Sequence, residues 1–182
     1  MIFIQFTGLS GAGKSTIARS VKKQMEEDGF KVEVIDADIY RPVLCPDLGF
    51  SKEDRIENIR RLGFVANLLA KNGVITILAA INPYEATRKE LILKGTKVKT
   101  IWINCDLETL IKRDTKGLYR KAQLPDGHPD KIYNLTGVND VYEQPSVPDL
   151  IINTEFENIV TSVKKVVDFI NNEIGNSKLF LK

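Results

Sequence analysis

The sequence predicts an α/β domain, with one parallel five-stranded sheet and helices on both of its faces. Three observations predict it. Short, continuous, β-branched apolar runs alternate with amphipathic helical stretches along the whole chain. The runs lack the polar–apolar alternation of a half-exposed strand, so they suit strands buried on both faces. A chain of 182 residues, 43% apolar and 27% charged, is long enough for one such core, taken as a single domain over residues 1–182. The strand–helix order then implies right-handed crossovers.

In chain order, the first strand is residues 2–6, and a helix over about 14–28 comes next. A strand at 32–35 leads to a helix at 52–72. Ser51 can cap that helix, and Asp54 completes an S-x-x-D capping box. Ile56, Ile59, Gly63, Ala66 and Leu69 form its buried stripe. The third strand lies in 74–81, before a helix at 84–93. The fourth is 98–103, with a helix at 107–113. Residues 115–148 carry Pro, Gly and mixed charges without periodicity, and a loop that long reads as a lid or a disordered segment. A strand at 150–152 and a helix at about 156–174 close the domain, and the tail 175–182 is expected to fray.

Composition narrows the function. A net charge of +2, from 26 basic and 24 acidic residues, offers no general surface for polyanions, so nucleic acid is not expected as a partner. The longest apolar run, 74–81, is too short for a bilayer, and no membrane association is expected. The chain opens directly into a strand without a basic leader, so cytoplasmic residence is the expectation. Cys45 and Cys105 read as free thiols in a reducing compartment, and a lone His128 cannot build a His-based metal site or triad.

Residues 8–15, GLSGAGKS, match G-x-x-x-x-G-K-[ST] between a strand and a helix. This predicts a P-loop and a three-layer P-loop NTPase fold. Gly8, Leu9, Ser10, Gly11, Ala12 and Gly13 would turn backbone N–H groups toward the phosphates of ATP, at a helix N-terminus. Lys14 would reach the β- and γ-phosphates, Ser15 would ligate Mg²⁺, and Thr16 completes the ATP-contacting run.

Asp36 and Asp38 end the second strand, where ligands of such sheets bind. Two apart on a strand, they would face one side. That pair could hold Mg²⁺ through water and accept a proton from an attacking hydroxyl. Loop solubility or an Asx-turn is the alternative. Arg55 and Asn58 share a helix face and, with Arg41, suit either an anion clamp or ordinary surface charge. Phe50 fits a base stack or a core plug equally well. Residues 113–121, RDTKGLYRK, are basic and could close over phosphates, or could simply be solvated.

Taken together, the chain resembles adenylylsulfate kinases (APS kinases). The resemblance is carried by GLSGAGKST at 8–16, DADIYR at 36–41 and DLGFSKEDRIENIRR at 47–61. It continues through INPY at 81–84, DTKGLYRKA at 114–122 and LTGVNDVYEQP at 135–145. It spans nearly the whole chain. It implies a sheet of order 2-3-1-4-5, an often dimeric protein, ATP with Mg²⁺, and phosphorylation of the 3′-hydroxyl of adenosine 5′-phosphosulfate. It assigns Lys14 and Asp38 to catalysis, Ser15 and Asp36 to the metal, and Arg113 to ATP. Arg41, Phe50, Arg55, Asn58, Ile81, Asn82, Lys116 and Leu135 would hold the acceptor, with Lys116 in a lid over 115–148.

Four departures from the family pattern stand out. Ala37 stands for Gly in D-G-D, Asn82 for Ser in I-S-P-Y, and Leu135 for Phe in F-T-G. Residues 123–134 lengthen the lid. Asn82 cannot carry a phosphoryl group, so transfer would be direct and in line. Because Leu135 and the longer lid fall where the base is read, a 3′-hydroxyl kinase of another nucleotide, such as a cytidine nucleotide, is the nearest alternative. A GTPase switch is further away: Asp114 to Gly117 fit D-x-x-G, but no N-K-x-D exists. An inactive ATP-binding regulator conflicts with the intact Lys14, Ser15, Asp36 and Asp38.

Overall fold

Strand β1 (Phe3–Thr7) runs down the middle of the sheet in the computed structural model, which describes the backbone of residues 1–179 and the side chains of residues 1–175. It pairs in parallel with β3 (Ile75–Ala79) on one side and β4 (Val98–Asn104) on the other. Outside these lie β2 (Val32–Asp36) and β5 (Leu150–Asn153), giving the order β2-β3-β1-β4-β5. This is the predicted 2-3-1-4-5 sheet.

All five residues of β1 are buried, which is why the run is continuous rather than alternating. Ile4 and Phe6 pack on one face with α1 (Lys14–Glu27) and α7 (Ile159–Leu179), through Ile17, Val21, Val166 and Ile170. Phe3 packs on the other face with α3 (Lys52–Lys71) and α4 (Glu85–Lys94), through Ile59, Leu62, Ala66 and Leu91. Gly63 lets α3 and α4 pack closely, because a Cβ there would stand 2.5 Å from a Leu91 methyl and that side chain would have to shift. The Ser51 cap forms as read, with its hydroxyl accepting from the Asp54 N–H at 3.1 Å.

The structure corrects three readings. Residues 37–44, unassigned in the sequence, form a helix, α2 (Ala37–Leu44), capped by Asp36. The 115–148 segment is no free loop. It contains α6 (Leu118–Ala122), and Tyr119, Ala122 and Leu135 are buried in the main core. It comes after α5 (Leu107–Arg113), whose bounds match the reading. The last helix runs from Ile159 to Leu179, so it starts later and reaches further than expected. Of the tail expected to fray, residues 180–182 lie outside the described residues. Among the described residues no helix is long and apolar enough to cross a membrane.

Candidate active site

The phosphate loop joins β1 to α1. Its glycines are fixed by geometry: a Cβ on Gly8 would fall 2.2 Å from the Ile103 carbonyl, and Gly13 caps α1 with φ 101°. Lys14 is buried, and its ammonium donates to the Gly8 and Leu9 carbonyls at 2.8 Å each. Burial, and next the nearby Lys116, push its pKa down to about 7, against the pull of Asp38 and Asp36. Ser10, Gly11, Gly13, Lys14, Ser15 and Thr16 all line a cleft of about 530 Å³. Gly8, Leu9 and Ala12 lie behind it as support.

The two aspartates do not share a strand face. Asp36 ends β2 and caps α2, its Oδ1 accepting from the Asp38 N–H at 3.1 Å. Asp38 is therefore in the first turn of a helix, where the periodicity is no longer two. Asp36 is buried, and its Oδ2 pairs with Arg19 at 3.1 Å. The Asp38 carboxylate is two-thirds exposed and pairs with the Lys116 ammonium from across the cleft. Both residues line the cleft.

The acceptor wall comes from α2, α3 and the turn between them. Phe50 is 56% exposed, so the core-plug reading fails. Two guanidiniums approach its ring, Arg41 at 4.3 Å and Arg55 at 5.5 Å from the centroid. Arg41 also donates to the Gly49 carbonyl. Arg55 is buried, donating to the Phe50 and Asn134 carbonyls at 3.1 and 2.6 Å and pairing with Asp140 at 3.1 Å. It is thus no surface charge. Asn58, one turn on, lines the cleft with a buried Oδ1 that no protein group satisfies. An unpaired acceptor in such a place costs stability unless a ligand supplies the donor.

The floor is Ile81 and Asn82, just past β3. Asn82 has φ 44°, a left-handed conformation that Asn tolerates better than most residues. Its Nδ2 donates to Gln5 Oε1 at 3.0 Å, and its buried Oδ1 has no partner.

Two expected contacts lie elsewhere. Leu135 is buried in the main core and does not line the cleft. Its own N–H donates to Asn139 Oδ1 at 2.7 Å, and at neighbouring Gly137 a Cβ would crowd Leu9 at 2.6 Å. Arg113 is also outside the lining. It donates to the Thr154 carbonyl at 3.1 Å, and the Thr154 hydroxyl donates to the Ala12 carbonyl behind the phosphate loop at 3.0 Å.

Sequence reasoning missed several supports. Arg19 pairs with Asp36 from an exposed helix face, and no local signal marks it. The Tyr119 hydroxyl donates to the Ser10 carbonyl at 2.8 Å, tying the 115–148 segment to the phosphate loop. Thr115 lines the cleft beside Lys116.

Comparison with known proteins agrees with this fold. The adenylylsulphate kinase family model matches residues 1–153. An adenylyl-sulfate kinase of Chloroflexus aurantiacus is 46% identical over 154 residues, covering 85% of this chain and 80% of that protein. One from Halothermothrix orenii is 45% identical over 172 residues, covering 93% and 89%. Among solved structures, the Mycobacterium tuberculosis APS kinase in complex with AMPPNP and APS superposes with a TM-score of 0.86 at 34% identity, covering 93% of this chain and 97% of that one. A hexameric APS kinase from Thiobacillus denitrificans gives 0.67 at 32% identity, covering 94% of this chain and 29% of that one.

Proposed function

The chain belongs to the adenylylsulphate kinase family, and from that premise we infer that it transfers the γ-phosphoryl group of ATP to the 3′-hydroxyl of adenosine 5′-phosphosulfate. One observation of its own geometry supports this above the others: a phosphate loop and an Arg–Phe–Arg acceptor wall open onto the same cleft.

In the reaction, the acceptor 3′-oxygen bonds to the γ-phosphorus as the bond to the β–γ bridging oxygen breaks and ADP leaves. The loop N–H groups and Lys14 face the charge that spreads over the transferring group. Asp38, the exposed carboxylate of the pair, takes the proton of the hydroxyl. It must first release Lys116, and the lid lysine is then free to turn to the phosphates. Arg41 and Arg55 meet the phosphosulfate, Phe50 stacks on the base, and Asn58 accepts a hydrogen bond from the nucleotide. Arg113 lies on the ATP side, near Thr154.

Mg²⁺ fits the residues present. Among the described residues no three His, Cys, Asp or Glu side chains gather into a metal cage. That suits an ion that keeps waters and takes phosphate oxygens. The Ser15 hydroxyl and, through water, Asp36 would hold it; bound there, it would neutralise charge between the β- and γ-phosphates.

Asn82 has no nucleophile that could carry the phosphoryl group, so transfer is direct. Cytoplasmic residence and a homodimer complete the reading, and sedimentation of the purified chain tests the second. The deciding experiment is coupled ADP release over adenine and cytosine acceptors, with labelled ATP alone as a parallel sample. Turnover of adenosine 5′-phosphosulfate without labelled protein is expected. Preference for a cytosine acceptor would move the substrate while keeping the reaction. Stable label on the protein would refute direct transfer.

A further inference from the structure

Behind the cleft floor lies a cluster of polar groups that touches no substrate position. Arg88, on α4, is 1% exposed, and neither it, Thr7 nor Tyr142 lines the cleft. Its guanidinium has one carboxylate partner, Glu85, reached by Nε at 3.0 Å and Nη2 at 2.8 Å. The remaining donors go to two backbone carbonyls far apart in sequence. Nη1 donates to the Asn82 carbonyl at 2.7 Å, and Nη2 to the Glu143 carbonyl at 2.6 Å. One is the strained floor residue of the acceptor site; the other belongs to the chain leaving the lid segment.

The same two stretches are joined four more times. The Glu143 N–H donates to the Pro83 carbonyl at 2.9 Å, and the Glu85 N–H to Glu143 Oε2 at 2.7 Å. The Ser146 hydroxyl donates to Glu85 Oε1 at 2.5 Å. The Thr7 hydroxyl stands 2.8 Å from the Ile81 carbonyl, 3.1 Å from that of Asn82 and 3.0 Å from the Tyr142 hydroxyl. Thus the two floor carbonyls are held by two side chains, Thr7 and Arg88. Each of these also grips the outgoing arm of the lid. A left-handed Asn is held only when its surroundings over-determine it, and here the surroundings include that arm.

We propose that Arg88 is a positioning residue for the acceptor. Its guanidinium clamps the carbonyls of Asn82 and Glu143, so the acceptor floor keeps its shape only while the outgoing arm of the lid is docked. A planar guanidinium can bridge two carbonyls and a carboxylate at once; an ammonium at the end of a flexible stem cannot hold the same fork. The phosphate loop meets the floor through the Gly8 N–H, which donates to the Ile81 carbonyl at 3.3 Å, whereas the bonds of Arg88 go to Asn82, Glu85 and Glu143. The loop's ties to the lid segment run through the Tyr119 hydroxyl on the Ser10 carbonyl and through Leu9 against Gly137. Arg88 itself bonds no residue of the phosphate loop, so loosening the clamp is expected to fall mainly on the acceptor and less on ATP.

This inference rests on the proposed reaction, so wild-type turnover of adenosine 5′-phosphosulfate is measured first. Its absence overturns that reaction, whereas the variants test the clamp alone. In Arg88→Lys, KM for the acceptor is expected to rise about tenfold and kcat to fall, since small misplacements near reacting atoms are costly. KM for ATP should stay within about twofold of wild type by the same reasoning. Because Arg88 is buried, Tyr142→Phe is made in parallel. It removes one hydroxyl from a half-buried residue and should give a smaller shift of the same one-sided kind. Tryptic cleavage within 118–132, slowed by the acceptor in wild type, should lose that protection in both variants at equal thermal stability. Equal losses of acceptor and ATP affinity would reduce Arg88 to a general structural role and overturn the proposal. So would unchanged acceptor KM in Tyr142→Phe when Arg88→Lys does not fold.

Discussion

The two ends of the cleft are built in opposite ways. At the phosphate end the cleft lining comes from one short run within residues 10–16, shaped by glycine geometry. At the acceptor end it comes from side chains of α2, α3, the end of β3 and the lid segment, meeting only in the folded chain. The first is specified locally and tolerates little change, because a Cβ at Gly8 meets backbone rather than a movable side chain. The second can absorb substitutions such as Asn82 without dismantling the phosphate machinery. Chemistry and substrate choice can therefore vary separately in this molecule.

Damage at the phosphate end should accordingly lower kcat, while damage at the acceptor end should raise the acceptor KM. The largest effect is expected for Lys14→Ala, a fall in kcat of about 10³-fold with the fold retained. Wild-type turnover with a matching melt would remove the loop from the mechanism. Asp38→Asn sits between the two ends and should cost about 10²-fold in kcat, at the low end for a general base. If Asp36→Asn proves far more harmful than Asp38→Asn, the metal and base roles are exchanged. Phe50→Ala belongs to the acceptor end alone. Losing one stacked base, worth about 1–3 kcal/mol in other nucleotide sites, should raise the acceptor KM at least several-fold and leave ATP untouched. A loss shared by both substrates would show that the ends are not separable.

Leu135→Phe sharpens the same boundary. Leu135 lies in the main core, so a larger ring should destabilise the protein by about 1–3 kcal/mol without improving the acceptor KM. A tightened KM would mean that the lid rearranges to bring this position to the base.

The smallest effect is a titration. With Lys14 at about 7 in the folded protein and 10.5 as the reference value, the unfolded chain holds a proton that the folded one lacks between those pH values. Stability from this group therefore rises with pH across that window, and below pH 7 the burial penalty is felt in full. The melting temperature of wild type relative to Lys14→Met should climb from pH 7 toward 10. ATP, which favours the ammonium, should bind with uptake of up to about one proton near pH 8. Heats of ATP binding that do not depend on the buffer would contradict the lowered pKa.

Much of the molecule is legible without the fold. The five strands, the Ser51 cap and the phosphate loop are signalled within a few residues of where they act, because buried parallel strands, caps and glycine turns are short-range devices. The α2 helix escapes a local reading: its Asp36 cap also reads as a strand-end carboxylate, and the choice between them depends on where the chain turns next. The lid segment reads as loop because its one helix is too short to show a periodicity. It is held by scattered anchors such as Tyr119 and Leu135, which look unremarkable in sequence.

The sequence by itself determined the reaction class and the phosphate site, since backbone amides depend on local residue types and need no distant partner. Only the tertiary structure decided the rest. Phe50 meets two arginines, and Asp36 caps α2 and pairs with Arg19 while Asp38 stays exposed to the cleft. Arg88 meets Asn82 and Glu143, a pair 61 residues apart by their numbers. These depend on side chains converging from remote segments, and nothing in a local window of sequence constrains which of many polar residues will meet.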